Sequence, residues 1–181
     1  MTEIIQLYER TYQELSNKIK NSYPELLKDW DFKWSNRIKT SAGRACINHK
    51  TKKKWIEMSR KILELNYTNK DFFDRFVHLV WHEWCHALDW ELNKGWGHGP
   101  SWKKLMREFG QNPDRCFDGY DIVCKPNNSN YAIKNLKNNR VINYYTNIPS
   151  DNLIAACKAK FNLDHNQLEV INLEHGWRRF F

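Results

Sequence analysis

Phe72-Phe73-Asp74-Arg75-Phe76-Val77-His78-Leu79-Val80-Trp81-His82-Glu83-Trp84-Cys85-His86-Ala87-Leu88 is an apolar, helix-like stretch that carries an H-E-x-x-H pentapeptide at residues 82–86. On a helix, residues four apart share a face, so His82 and His86 can grip one zinc ion. Glu83, one position on from the first ligand, then reaches the water in the open coordination position. That is the working part of a metallopeptidase. Thr68 with Asp71 three residues later has the form of a helix-opening capping box. Phe72, Phe73, Phe76, Val77, Leu79, Val80, Ala87 and Leu88 supply the apolar surface of a buried helix from about Asn69 to about Glu91. The plain alternative is two ordinary histidines and a surface glutamate on an amphipathic helix.

A zinc site needs a third protein ligand, and its spacing separates the zinc-peptidase classes. Leu92 stands where a third histidine would follow in the H-E-x-x-H-x-x-G-x-x-H arrangement, which excludes that class. His98 comes next, in Gly95-Trp96-Gly97-His98-Gly99-Pro100. The glycines permit tight turns, and Pro100 suits the first turn of a new helix through Ser101, Trp102, Leu105, Met106 and Phe109, which aims His98 back at the first helix. Glu91 and Glu108 are the competing ligands. His78 shares the ligand face one turn earlier, but a fourth protein ligand would fill the position catalysis needs for water, so it reads as a packed neighbour. Asp89 lies one turn beyond His86 and is placed either to orient an imidazole or to stand solvated. Cys85 reads as packing, and His49, His165 and His175 lie outside any ligand spacing.

The chain has 181 residues, enough for one real core and a small appendage, and 9 Trp, 8 Tyr and 9 Phe make its side chains large. The opening residues 1–20 form an amphipathic pattern without the order of a signal peptide, and no apolar run is long enough to span a bilayer. Five cysteines at irregular spacings suit reduced thiols, so a cytoplasmic setting, with nucleoid association open, is expected. Lys and Arg number 29 against 21 Asp and Glu, a net charge of +8 that favours contact with polyanions. Lys50, Lys52, Lys53 and Lys54 surround a hairpin turn, with Lys33, Arg37, Lys39 and Arg44 just before it and Trp30, Trp34 and Trp55 interleaved. Such a surface suits a phosphate backbone with stacking rings, although core positions are the alternative for the tryptophans.

A first helix runs to about Asn21, where Pro24 interrupts the pattern before a linker. Residues 32–46 and 55–60 read as strands. Beyond Gly110 the pattern predicts strands near 120–124, 131–136 and 140–146, a helix over 150–161 opened by Ser150, and a strand over 168–173. The Asn-rich stretches 127–130 and 138–139 read as turns. Cys116, Cys124 and Cys157 are too scattered for a zinc ribbon. Lys125, Lys134, Lys137, Arg140, Lys158, Lys160, Arg178 and Arg179 make the appendage a candidate accessory contact surface for DNA or a protein.

Three blocks carry a family resemblance: Lys39-Thr40-Ser41-Ala42-Gly43-Arg44-Ala45-Cys46, Trp55-Ile56-Glu57-Met58-Ser59, and His82-Glu83-Trp84-Cys85-His86-Ala87-Leu88 with Gly97-His98-Gly99 and Trp102-Lys103. In order and spacing, residues 37–116 resemble the SprT-like zinc metallopeptidases, the SprT and Spartan type of domain. The resemblance implies that His82, His86 and His98 bind Zn2+ and that Glu83 is catalytic. It implies an α+β fold, a small zincin-like metallopeptidase domain with a short sheet over the active-site helix, here followed by an α+β appendage in place of a zinc ribbon. Domains are expected at 1–118 and 119–181. Residues 55–60 are the expected edge strand, so that Trp55, Ile56, Glu57, Met58 and Ser59 bind extended substrate through main-chain hydrogen bonds. The expected activity is zinc-dependent hydrolysis of peptide bonds in proteins, DNA-associated ones included, with DNA itself a partner through Lys50 to Lys54. A structural-zinc binding module and a metal-dependent hydrolase of a non-protein substrate are the alternatives.

Overall fold

The structure is a computed structural model that describes residues 2–69, 71–114, 122–164, 166–175 and 178–180, the last three and Thr2 by their backbone. Cys116, His165, the first residues of the strand expected at 120–124, the boundary expected at 118/119 and the side chains of Arg178 and Arg179 lie outside the described residues. The architecture is mixed α+β, and the chain divides into two compact units. The first comprises residues 1–63 and 67–115, the second residues 64–66 and 116–181.

In the first unit, α1 (Thr2–Ser22) buries Tyr8, Tyr12, Ser16 and Ile19, a spacing of three and four that makes one helical stripe. Pro24 does not lead into a linker but opens the short helix α2 (Pro24–Leu27), as a residue with preset φ and no N–H can. Three strands follow, β1 (Trp30–Ser35), β2 (Gly43–Ile47) and β3 (Lys54–Ser59), in the order β1-β3-β2. β1 runs parallel to β3 and β2 antiparallel to it. The β2–β3 connection is the hairpin expected from its lysines. Its loop is closed by Asn48 N–H to the Lys53 carbonyl, and the Asn48 side chain accepts from the N–H groups of Lys50 and Thr51.

This order corrects the expectation for residues 55–60. β3 is the central strand, with both edges already paired, so it cannot accept an added peptide strand; β2 lies at the end of the sheet. The strand also stops at Ser59, whose side chain accepts from Ile62 N–H and opens α3 (Arg60–Asn66), a helix that the strand reading concealed.

α4 (Phe72–Asn93) is the central helix of this unit and packs against α1, α2, β2, β3 and α5 (Pro100–Glu108). It starts three residues later than the capping box would place it. The cap is Asp71, which makes no side-chain cap bond, and Asn69 rather than Thr68 accepts from the chain there, through Asp71 N–H. The core between α1, α4 and the sheet is aromatic: Trp34 stacks on Phe76 at 5.9 Å and 6°, and Tyr12 meets Phe32, Trp34 and Phe76 edge-on. Each such pair contributes about 0.5–1.5 kcal/mol beyond its buried area. Buried indoles keep their polar atoms satisfied, Trp84 on Ser16 and Trp30 on Glu91. Trp30 is fully buried and Trp34 is packed against Phe76, so these two belong to the core and not to a base-stacking surface.

The second unit is an antiparallel sheet ordered β5-β4-β6-β7, formed by β4 (Tyr131–Asn135), β5 (Arg140–Tyr145), β6 (Leu168–Asn172) and β7 (Arg178–Phe180), with α6 (Asp151–Phe161). The alternate residues of β4 and β6 feed two clusters. Ile133 and Val170 pack with Ile154 and Cys157 of α6, while Ala132 and Ile171 pack with Leu65 and Val123. Leu65 explains why residues 64–66 belong here. Asn66 adds to this by bonding both the N–H and the carbonyl of Val123. The expected turns form, with Asn128 and Asn139 in the left-handed region that asparagine tolerates. Residues 122–124 form no strand. Lys134 is 3% exposed and sits opposite buried Glu169 in the β4–β6 register, and Lys125 pairs with Glu174. Neither therefore belongs to an accessory contact surface.

Candidate metal centre

His82 and His86 project from the same face of α4, one turn apart, and the chain then has to return a third ligand to them. Lys94 ends the helix in the left-handed conformation, φ 54°, and Gly95 N–H bonds back to the Asp89 carbonyl. Gly95 is tight against the helix: a Cβ there would lie 2.2 Å from Asp89 Oδ2. Gly97 has φ 101°, a conformation only glycine adopts readily, and Pro100 then opens α5. The result is a loop that turns His98 back over α4. Its Nε2 lies 2.9 Å from His82 Nε2, and His86 Nε2 lies 3.3 Å from the same atom.

Three imidazole nitrogens within 4.8 Å of one another form a group able to hold a metal ion. Nitrogens bound at about 2.0–2.1 Å in a tetrahedron stand about 3.3 Å apart, which is close to the spacing here. The donor chemistry agrees. Burial, then the neighbouring histidines, pushes His82 down to about 3 and His86 to about 4, so both rings are neutral with lone pairs available. Among the described residues no carboxylate joins the group. Glu91 accepts from Trp30 Nε1 and pairs with Lys54 at 2.7 Å, and Glu108 stands half-exposed beside Lys104. Of the three candidates for a third position, His98 is the one that stands in the group able to hold a metal ion. His78 turns elsewhere, with Nδ1 3.2 Å from Gln111 Oε1. Cys85 is fully buried, and Asp89 is buried rather than solvated, held by Asn93 at 2.9 Å.

Trp102 is the site residue that spacing alone did not single out. Fully buried on α5, it stacks on His86 at 5.3 Å and 24°, and meets His82 and His98 across ring distances of 4.7 and 4.6 Å. Its indole N–H donates to the His82 carbonyl at 3.3 Å. One rigid ring thus braces all three imidazoles. The available signal was its place, four residues after His98 in the first turn of α5, where a helix side chain leans back toward its N-terminus.

Glu83 lies between α4 and the edge strand. Its side chain sits against Gly43 of β2, where a Cβ would lie 3.2 Å from Glu83 Cγ and 3.3 Å from Glu83 Oε1. Burial raises its pKa to about 8, with the neighbouring Ala45 backbone opposing that rise. The sequence model of the SprT-like family matches residues 1–122. The chain belongs to the SprT-like family. The SprT-like match takes in the whole of α1 and α2 as well as the motif blocks, and so ties the N-terminal helices to the site they support. No curated protein matches the chain.

The residues expected to bind substrate separate. Ile56 and Met58 are fully buried, Ser59 caps α3 and donates to the Ile38 carbonyl, and Glu57 is engaged by Arg44 at 2.6 Å. Burial alone would raise Glu57, but the Arg44 guanidinium wins and holds its carboxyl below the usual range. Trp55 alone among them is half-exposed, with Lys33 Nζ 4.5 Å above its ring. In the hairpin Lys50, Lys52 and Lys53 are exposed, whereas Lys54 is turned into its pair with Glu91. No helix among the described residues is long and apolar enough to cross a membrane.

Proposed function

We propose that this chain is a zinc-dependent endopeptidase of zincin type that cleaves proteins, including proteins held on DNA. The observation that carries this reading is the convergence of His82, His86 and His98 next to a glutamate packed against the sheet's edge strand at Gly43. A zinc ion on these imidazoles supplies a Lewis acid and a water acidified to about 7. Glu83 takes the proton from the attacking water and passes it to the leaving amine, serving as base and then acid. Packing against Gly43 places the carboxylate for that role, and Trp102 holds the three rings against rotation.

Substrate is bound by β2, not β3. An extended peptide laid along the edge of β2 that faces away from β3 forms ladder bonds with the strand against which Glu83 packs, which brings a main-chain carbonyl to the site without any recognition of side chains. The DNA link rests on charge: a net +8 and three exposed lysines at the hairpin, Lys50, Lys52 and Lys53. The test is proteolysis of a DNA-binding protein by the zinc-loaded full chain, with and without DNA. Cleavage that increases with DNA supports the whole reading, DNA-independent cleavage removes the DNA link, and no cleavage under either condition contradicts the peptidase.

A further inference from the structure

An open cleft of about 580 Å³ runs along the outer side of β2, lined by residues 44–50, Trp55 and Trp96. One wall is β2, the strand against which Glu83 packs at Gly43, and the other is Trp96, whose ring lies 6.3 Å from that of His86. The cleft therefore runs beside the candidate centre, although neither its three histidines nor Glu83 line it. At 56% Trp96 is the most exposed large apolar side chain among those described, yet it is not loosely placed. Its ring stands edge-on to Trp90 at 5.8 Å, and the preceding Gly95 is pressed against Asp89 and bonded to its carbonyl. The same loop geometry that delivers His98 thus also presents an indole to solvent. A fixed, exposed aromatic ring beside a concave surface is the usual anchor of recognition.

Resting on the peptidase reading above, we infer that Trp96 is a specificity-determining residue: with β2 it forms a subsite for an aromatic or large aliphatic side chain of an extended peptide substrate. Peptide is favoured over a nucleic-acid strand because seven consecutive residues of the lining, 44–50, belong to the edge strand and its turn, and only a peptide can continue that ladder. Among the described residues no carboxylate lines the cleft, while Arg44 and Lys50 do, so a basic side chain has no partner there.

The experiment uses the zinc-loaded full chain and a set of decapeptides in which a single Phe is walked through a Gly/Ala background. The wild type is expected to prefer Phe over Ala at one position relative to the cut by about ten-fold or more in kcat/KM. Trp96→Ala should lose most of that preference, through KM, and Trp96→Phe should retain it. Binding supplies an independent readout: Glu83→Gln should hold the Phe peptide about ten-fold tighter than the Ala peptide, and Glu83→Gln with Trp96→Ala should not. Unchanged preference in Trp96→Ala, or an equal loss for both peptides, overturns the subsite. So does loss of oligo-dT binding in Trp96→Ala with peptide preference intact. If no peptide is cut but Glu83→Gln still discriminates, the peptidase reading fails and the subsite stands; cleavage without discrimination is the reverse.

Discussion

Gly95→Ala is the sharpest perturbation of the loop that carries His98. The new Cβ would lie 2.2 Å from Asp89 Oδ2 and 2.7 Å from Asp89 Cγ, where 3.4 Å is an ordinary contact. Asp89 has nowhere to retreat, being 2% exposed and held by Asn93 at 2.9 Å. The loop must therefore move, by about 1.2 Å if it takes the whole displacement from 2.2 to 3.4 Å. Metal ligands tolerate only about 0.2 Å, and loss of a supporting contact typically weakens metal binding about 10–100-fold. Zinc affinity measured by competition with a chromogenic chelator should fall by about that factor. The thermal midpoint of the metal-free protein should fall too, by the few degrees that correspond to about 1–3 kcal/mol of overpacking. Wild-type zinc affinity in Gly95→Ala would refute the claim that this contact positions His98.

Trp102→Phe keeps the ring stack but deletes the N–H that reaches the His82 carbonyl, so zinc affinity should drop less than in Trp102→Leu, measured by the same competition. Burial raises and the Lys54 and Trp30 bonds lower the Glu91 carboxyl, with a net fall below 4.5. Its contribution to stability is thus complete above about pH 4.5 and is lost as pH drops through the lower folded value. Lys54→Met should flatten the acid limb of a thermal-midpoint series from pH 6 to 3, and an unchanged limb would count against the pair. For DNA, Lys50→Ala, Lys52→Ala and Lys53→Ala together should weaken binding of all sequences alike and reduce the salt slope by about two to three units, read by fluorescence polarisation. Lys54→Ala alone should barely change it, because Glu91 already neutralises that charge.

The centre was legible because its signals are local. A four-residue spacing puts His82 and His86 on one face whatever the rest of the chain does, and the glycines and proline around His98 can be read as a turn followed by a helix. What could not be read were features set by partners distant in sequence. The residues of β3 alternate as any strand does, and only β1, arriving parallel from residues 30–35, makes it central and leaves the edges to β1 and β2. α3 was hidden because Ser59 both ends a strand and caps a helix. Lys134 looked like surface charge until its register partner Glu169 and the packing of β6 buried it, and Asp89 until Gly95 closed over it. Trp102 needed the fold itself, since contact with three histidines depends on how α5 docks on α4.

The most direct test is zinc content and casein hydrolysis measured on the same preparations of the wild type and Glu83→Gln. One zinc per chain is expected in both proteins, with steady proteolysis by the wild type and a loss of at least about 100-fold in Glu83→Gln, since a positioned general base contributes about 10²–10⁴-fold. Equal proteolysis by the two proteins, or a wild type that holds zinc on its three histidines and cuts nothing, would contradict it.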